Sequence, residues 1–131
     1  MAETVAEHAP SAADAAQCAW LPDDELRVYS DEFARTSFRG GLKWYRNATD
    51  ADGAAQLQAY AGRSMDVPCC FIAGKSDWGT YQSPGALQAM ESSACSQFRG
   101  VHLVEGAGHW VQQEQPAALS KLLIDFLTRE T

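Results

Sequence analysis

The sequence predicts an α/β fold in which parallel strands are flanked by helices. Two short apolar runs, residues 67–73 and 101–104, are typical of strands that a parallel sheet buries on both faces. Between them, Ser83 and Pro84 suit the N-cap and first position of a helix, which we expect over residues 85–94. Strand, helix and strand in this order predict one parallel unit with a right-handed crossover.

Composition limits the classes of partner. The chain has 131 residues, 46% of them hydrophobic, which is enough for one globular domain. Its 10 basic and 17 acidic residues give a net charge of -7. That acidity excludes nucleic acid and anionic membranes as expected partners, and no apolar run approaches the roughly 20 residues of a membrane helix. The first twenty residues lack the basic start and apolar core of a signal peptide, so we expect a soluble, cytoplasmic protein.

The four cysteines have no metal-type spacing, and free, buried thiols are expected for them. No glycine-rich phosphate loop is visible either. We therefore expect neither a metal site nor a bound cofactor.

Order is expected to begin after a flexible leader, residues 1–19. Pro22 and three acids suit the start of a helix, and Leu26, Tyr29 and Phe33 then recur on one face until about Thr36. The following segment mixes aromatic and basic side chains, which fits either a packing patch or a binding surface. An alanine-rich stretch, residues 52–62, predicts another short helix.

The last helix is expected to open at Pro116 and to cover the sheet. Its apolar residues fall on one predicted face: Leu119, Leu122, Leu123, Phe126 and Leu127.

Two side chains with acid–base chemistry follow the two predicted strands. Asp77 lies in the turn after the first strand, and Gly106 and Gly108 bracket His109 after the second. Parallel neighbours end at the same edge of a sheet, so we expect Asp77 and His109 to lie within hydrogen-bonding reach. A carboxylate there can fix the imidazole tautomer and leave the other ring nitrogen to take a proton. The alternative is an ordinary polar histidine in a turn.

Three separated segments resemble one family. FRGGLKWYRN, FIAGKSDWG and EGAGHWVQQEQP are similar to the carboxyl-terminal part of α/β-hydrolase-fold epoxide hydrolases. The resemblance implies that residues 20–64 end a helical cap and that residues 65–131 form the last strands and helices of the core. It implies that Asp77 is the catalytic acid, His109 the catalytic histidine, and Tyr45 one of two cap tyrosines that hydrogen-bond the epoxide oxygen. Trp44, Trp78 and Trp110 are expected to contact the substrate.

The family's reaction needs groups that the sequence does not reveal. In such enzymes an aspartate attacks a small apolar epoxide to form an ester, and histidine activates water to hydrolyse that ester. The nucleophile, the oxyanion loop and the second tyrosine normally lie upstream of the matched region, and Asp14 is no substitute. We therefore expect a fragment that lacks the nucleophile half, with that half or a second copy of the chain as its partner. A dehalogenase-like enzyme and a non-catalytic remnant that binds a ligand or protein remain alternatives.

Overall fold

The computed structural model describes residues 2–129, and the contacts within the chain divide it into two compact units between Ala54 and Ala55. This division falls earlier in the chain than the predicted cap boundary between residues 64 and 65. The assignment of residues 20–64 to a cap stays a prediction. Within residues 2–129, no helix is both long and apolar enough to cross a membrane.

The first unit is helical. It contains α1 (Ala2–Glu7), α2 (Ala12–Gln17), α3 (Asp23–Thr36), α4 (Arg39–Thr49) and the start of α5 (Ala51–Leu57). The leader thus contains two short helices, and a reciprocal pair of hydrogen bonds between Ser11 and Asp14 caps the second.

Helix α3 confirms the prediction of a helix between Pro22 and Thr36. Three acids occupy its first turn, where they complement the helix dipole, and Arg35 in its last turn pairs with Glu32 at 2.6 Å. The chain leaves α3 through Ser37, which has a positive φ of 59°. Phe38 then stacks on Phe33, with ring centroids 4.3 Å apart.

The second unit contains the sheet. Strands β1 (Cys69–Gly74) and β2 (Phe98–Val104) pair in parallel, with Phe71 opposite Val101 and Gly74 opposite Val104. The predicted parallel unit is therefore confirmed. Strand β2 begins earlier than the apolar run that predicted it, because pairing with β1 extends back to Phe98.

Short helices and turns precede, connect and follow these strands in the chain. A 3₁₀ turn (Gln58–Tyr60) follows α5, and another (Trp78–Thr80) follows β1. The predicted helix over residues 85–94 is a short α6 (Ala86–Ala89) that continues as a π turn (Met90–Ala94). After β2 come α7 (Val111–Glu114) and α8 (Pro116–Arg129).

A small core lies between β2, the loop after it and the last two helices. Val104, Ala107 and Val111 are buried, and they pack against Ile72, Ala118, Leu119 and Leu122. Helix α8 therefore covers the sheet as predicted, but only with part of the predicted face. Leu123 and Leu127 remain 44% and 61% exposed, so the expectation that they share the buried face was wrong.

All four cysteines are free thiols, as expected, although only Cys95 is buried and the others are half-buried. Cys69 and Cys70 are consecutive residues at the start of β1.

Candidate active site

Two loops meet at the carboxyl ends of β1 and β2. Backbone hydrogen bonds join them: the Lys75 N–H donates to the Val104 carbonyl at 2.9 Å, and the Ser76 N–H to the Ala107 carbonyl at 3.0 Å. Gly74 permits this approach, because a Cβ there would lie 2.1 Å from the carbonyl oxygen of Gly108. The position of one loop is thereby fixed relative to the other.

Asp77 occupies the first of these loops. It caps the Trp78–Thr80 turn, and its Oδ1 accepts a hydrogen bond from the Gly79 N–H at 2.8 Å. The same oxygen lies 3.0 Å from Nδ1 of His109 in the second loop. The Asp77 side chain is 12% exposed, whereas that of His109 is 55% exposed. The predicted approach of these two side chains is confirmed.

The environment of Asp77 favours its ionised form. Burial alone would raise the pKa of this carboxyl, but the hydrogen bonds from Gly79 and His109, with the histidine's charge, outweigh burial and lower it. An ionised carboxylate only accepts hydrogen bonds, so the proton of a neutral His109 lies on Nδ1. The lone pair is then on Nε2, the nitrogen that a general base uses.

Two tryptophans lie against the imidazole of His109. The Trp78 ring is nearly parallel to it, at 18° and a centroid distance of 6.3 Å. The Trp110 ring meets it edge-on, at 78° and 5.2 Å. Both indoles are at least half exposed, and they form an aromatic border around the histidine. Their predicted contact with a substrate stays a prediction.

Side chains just after the histidine hold its loop, and sequence reasoning missed them. Glu114 accepts hydrogen bonds from the N–H groups of Gly108, at 2.7 Å, and Trp110, at 3.0 Å. The Gln115 side-chain amide donates to the Gly106 carbonyl at 3.3 Å. The sequence shows only a polar run, QQEQ, after Val111, and that pattern does not say which groups these side chains bind.

Among residues 2–129, no group of three or more His, Cys, Asp or Glu side chains is arranged to hold a metal ion.

Comparison with known proteins finds epoxide hydrolases among the relatives of this chain. No protein-family model matches the chain. Epoxide hydrolase A of Mycobacterium tuberculosis is 40% identical over 114 residues, which cover 84% of this chain and 33% of the relative. Epoxide hydrolase B of the same species is 36% identical over 110 residues, covering 83% of this chain and 30% of the relative. The chain is a homologue of epoxide hydrolases.

Solved structures of epoxide hydrolases are also similar to this chain. Epoxide hydrolase I from potato (Solanum tuberosum) superposes with a TM-score of 0.78 at 31% identity, covering 94% of this chain and 39% of that one. An epoxide hydrolase from Vigna radiata gives a TM-score of 0.73 at 27% identity, covering 84% and 36%. The chain spans about a third of the length of these epoxide hydrolases and has the α/β-hydrolase fold of their carboxyl-terminal part.

The other two candidates from the epoxide hydrolase resemblance lie on α4 in the first unit. Tyr45 is 69% exposed and Trp44 is 76% exposed. The sequence fits either a packing patch or a binding surface here, and neither side chain is packed within the first unit. The role of Tyr45 toward an epoxide oxygen and of Trp44 toward a substrate stays a prediction.

Proposed function

We propose that this chain supplies the acid–histidine part of an epoxide hydrolase active site, which converts an epoxide to a vicinal diol. The observation that carries the proposal is the 3.0 Å contact between Asp77 and His109, at the ends of two parallel strands in a homologue of epoxide hydrolases. The substrate class is a small apolar epoxide, which suits a histidine bordered by tryptophans.

In the first step a carboxylate nucleophile attacks an epoxide carbon. A carbon–oxygen bond of the strained ring breaks as the ester bond forms, and the released alkoxide takes a proton. Tyr45 is the proposed donor of that proton, because an ether oxygen is a poor leaving group unless an acid holds it. Its exposed phenol on α4 is accessible for this role.

In the second step water cleaves the ester. Nε2 of His109 takes a proton from water, and the hydroxide adds to the ester carbonyl. The acyl carbon–oxygen bond then breaks, and the leaving alkoxide takes the proton of the added hydroxyl to become the diol. The nucleophile is thereby regenerated as a carboxylate. Asp77 stabilises the imidazolium that forms, since its carboxylate carries the opposite charge at 3.0 Å. The proton on the imidazolium then returns, through solvent, to the phenolate left in the first step.

The attacking carboxylate is proposed to come from outside this sequence. Asp77 is committed to His109 and to the Gly79 N–H, and Glu114 to two backbone N–H groups of the histidine loop. Neither is placed to attack a substrate while it makes these contacts.

A hybrid enzyme tests the proposal. We would join the amino-terminal part of epoxide hydrolase A from M. tuberculosis to this chain, in place of the segment that it matches. Diol formation from styrene oxide is expected, and His109→Ala in the same hybrid should abolish turnover. A folded hybrid with no more diol formation than the His109→Ala control would contradict the proposal. Halide release from a haloalkane instead would favour the dehalogenase-like alternative.

A further inference from the structure

Glu114 holds the backbone on both sides of His109. Its Oε2 accepts the Gly108 N–H at 2.7 Å, and its Oε1 accepts the Trp110 N–H at 3.0 Å. The two residues that these bonds fix are the immediate neighbours of the histidine in the chain. These two hydrogen bonds therefore restrain the orientation of the Cα–Cβ bond of His109.

Helix α7, which carries Glu114, is packed against the core of the second unit. Val111 begins the helix and is buried against Val104 and Ala107, so the helical turn is anchored to the core of the second unit. Glu114 lies one turn further on and reaches back over the loop. Charge-assisted hydrogen bonds to backbone N–H groups are stronger than neutral ones, and two of them to one carboxylate restrict the loop's rotation.

We propose that Glu114 is a positioning residue for His109, which keeps Nδ1 of the imidazole on Asp77. The histidine side chain is 55% exposed, so contacts with its own ring restrain it only in part. The backbone of residues 108–110 therefore contributes to placing the His109 ring. The consequence for catalysis rests on the proposed epoxide hydrolase function, whereas the placement itself is a property of this chain.

The test uses the chain as it exists. Glu114→Gln keeps the shape of the side chain but removes the charge and replaces one acceptor oxygen by a donor group, which cannot accept the second N–H. Glu105→Gln is the matched control, because Glu105 lies in the same loop but pairs with the Lys75 side chain. The primary readout is the imidazole N–H proton resonance of His109, which a hydrogen bond to a carboxylate moves downfield.

We expect Glu114→Gln to lose or shift this resonance, and Glu105→Gln to retain it. Amide hydrogen exchange at Gly108 and Trp110 should become on the order of tenfold faster in Glu114→Gln. The amides of Lys75 and Ser76, which donate to backbone carbonyls across the two loops, should keep their protection and show that the fold is intact.

An unchanged resonance in Glu114→Gln, or its loss in both variants, would overturn the proposal. If Glu114→Gln does not fold, through-hydrogen-bond couplings in the unmodified chain decide instead. Couplings from the Gly108 and Trp110 nitrogens to the Glu114 carboxylate carbon would support the proposal, and their absence would overturn it. Because none of these readouts needs turnover, an inactive hybrid enzyme would leave the positioning result standing.

Discussion

Oδ1 of Asp77 and Nδ1 of His109 lie 3.0 Å apart, although 32 positions separate the two residues in the chain. Their contact exists because β1 and β2 are parallel neighbours and both loops leave the same end of the sheet.

Asp77→Asn should lower diol formation by the hybrid enzyme by roughly 10²–10⁴-fold. The asparagine amide can donate to Nδ1, which shifts the imidazole proton to Nε2 and removes the lone pair that accepts the proton of water. Steady-state kinetics would measure the loss. Asp125→Asn is the control, since that carboxylate is partly exposed and pairs with Lys121 on α8. Equal activities of the two variants would show that Asp77 does not support the histidine.

Stability should depend on pH through Asp77. Burial raises the pKa of this carboxyl, but hydrogen bonds from Gly79 and His109 lower it below its ordinary value. A group with a lowered folded-state pKa contributes stability above its unfolded pKa of about 3.9, and this contribution is lost as the pH falls through the folded value. The unmodified chain should therefore lose more unfolding free energy between about pH 6 and about pH 2 than Asp77→Asn does. Urea unfolding at a series of pH values measures the free energy of unfolding of the unmodified chain and of Asp77→Asn. If that free energy falls equally with pH in the two proteins, Asp77 does not have a lowered pKa in the folded state.

Tyr45→Phe in the hybrid enzyme should reduce kcat more than it raises KM. Loss of one donor to the developing oxyanion costs on the order of 2–4 kcal/mol, and less where a second tyrosine compensates. Tyr60→Phe is the matched control, because Tyr60 is also an exposed tyrosine, at 67% against 69% for Tyr45. If both variants turn over epoxide at the unmodified rate, Tyr45 has no part in ring opening.

Gly74→Ala should destabilise the second unit by about 2–4 kcal/mol, because the added Cβ collides with backbone that cannot move without parting the two loops. That Cβ would lie 2.1 Å from the Gly108 carbonyl oxygen and 2.4 Å from that of Ala107. Gly40→Ala makes the same change in α4 where nothing lies within 4 Å, and it should stabilise the helix by about 0.5–1 kcal/mol. Thermal unfolding of both variants measures the two changes in stability. If both substitutions change the stability in the same direction, the close approach of Gly74 to the Ala107 and Gly108 carbonyls is refuted.

The chain by itself should not hydrolyse epoxides. An acid–histidine pair without an attacking carboxylate can only direct water at an epoxide that nothing holds, so most of the positioning that accelerates the reaction is absent. The measurement is diol formation by the purified chain beside its His109→Ala variant, with near-ultraviolet circular dichroism to establish that both are folded. Turnover well above that variant would mean that the chain contains a nucleophile of its own.

The sequence alone determined the features that depend on local pattern. The repeat of Leu26, Tyr29 and Phe33 marked α3, because side chains three or four positions apart share a helix face. Compact apolar runs marked both strands, and their order predicted a parallel pair with Asp77 and His109 at one edge. These predictions needed only neighbours in the chain and the handedness of the crossover.

The tertiary structure decided the features that depend on partners distant in the chain or on the geometry of a loop. Strand β2 reaches back to Phe98 because β1 pairs with it there, and no apolar pattern marks those residues. Leu123 and Leu127 stay exposed because Leu119 and Leu122 make the contact of α8 with the core, a choice that periodicity leaves open. Glu114 emerged only once the loop was folded, because two backbone N–H groups converge on its carboxylate when the glycines turn the chain around His109. A backbone N–H can donate a hydrogen bond whatever side chain its residue carries. The identities of Gly108 and Trp110 therefore could not predict their hydrogen bonds to Glu114.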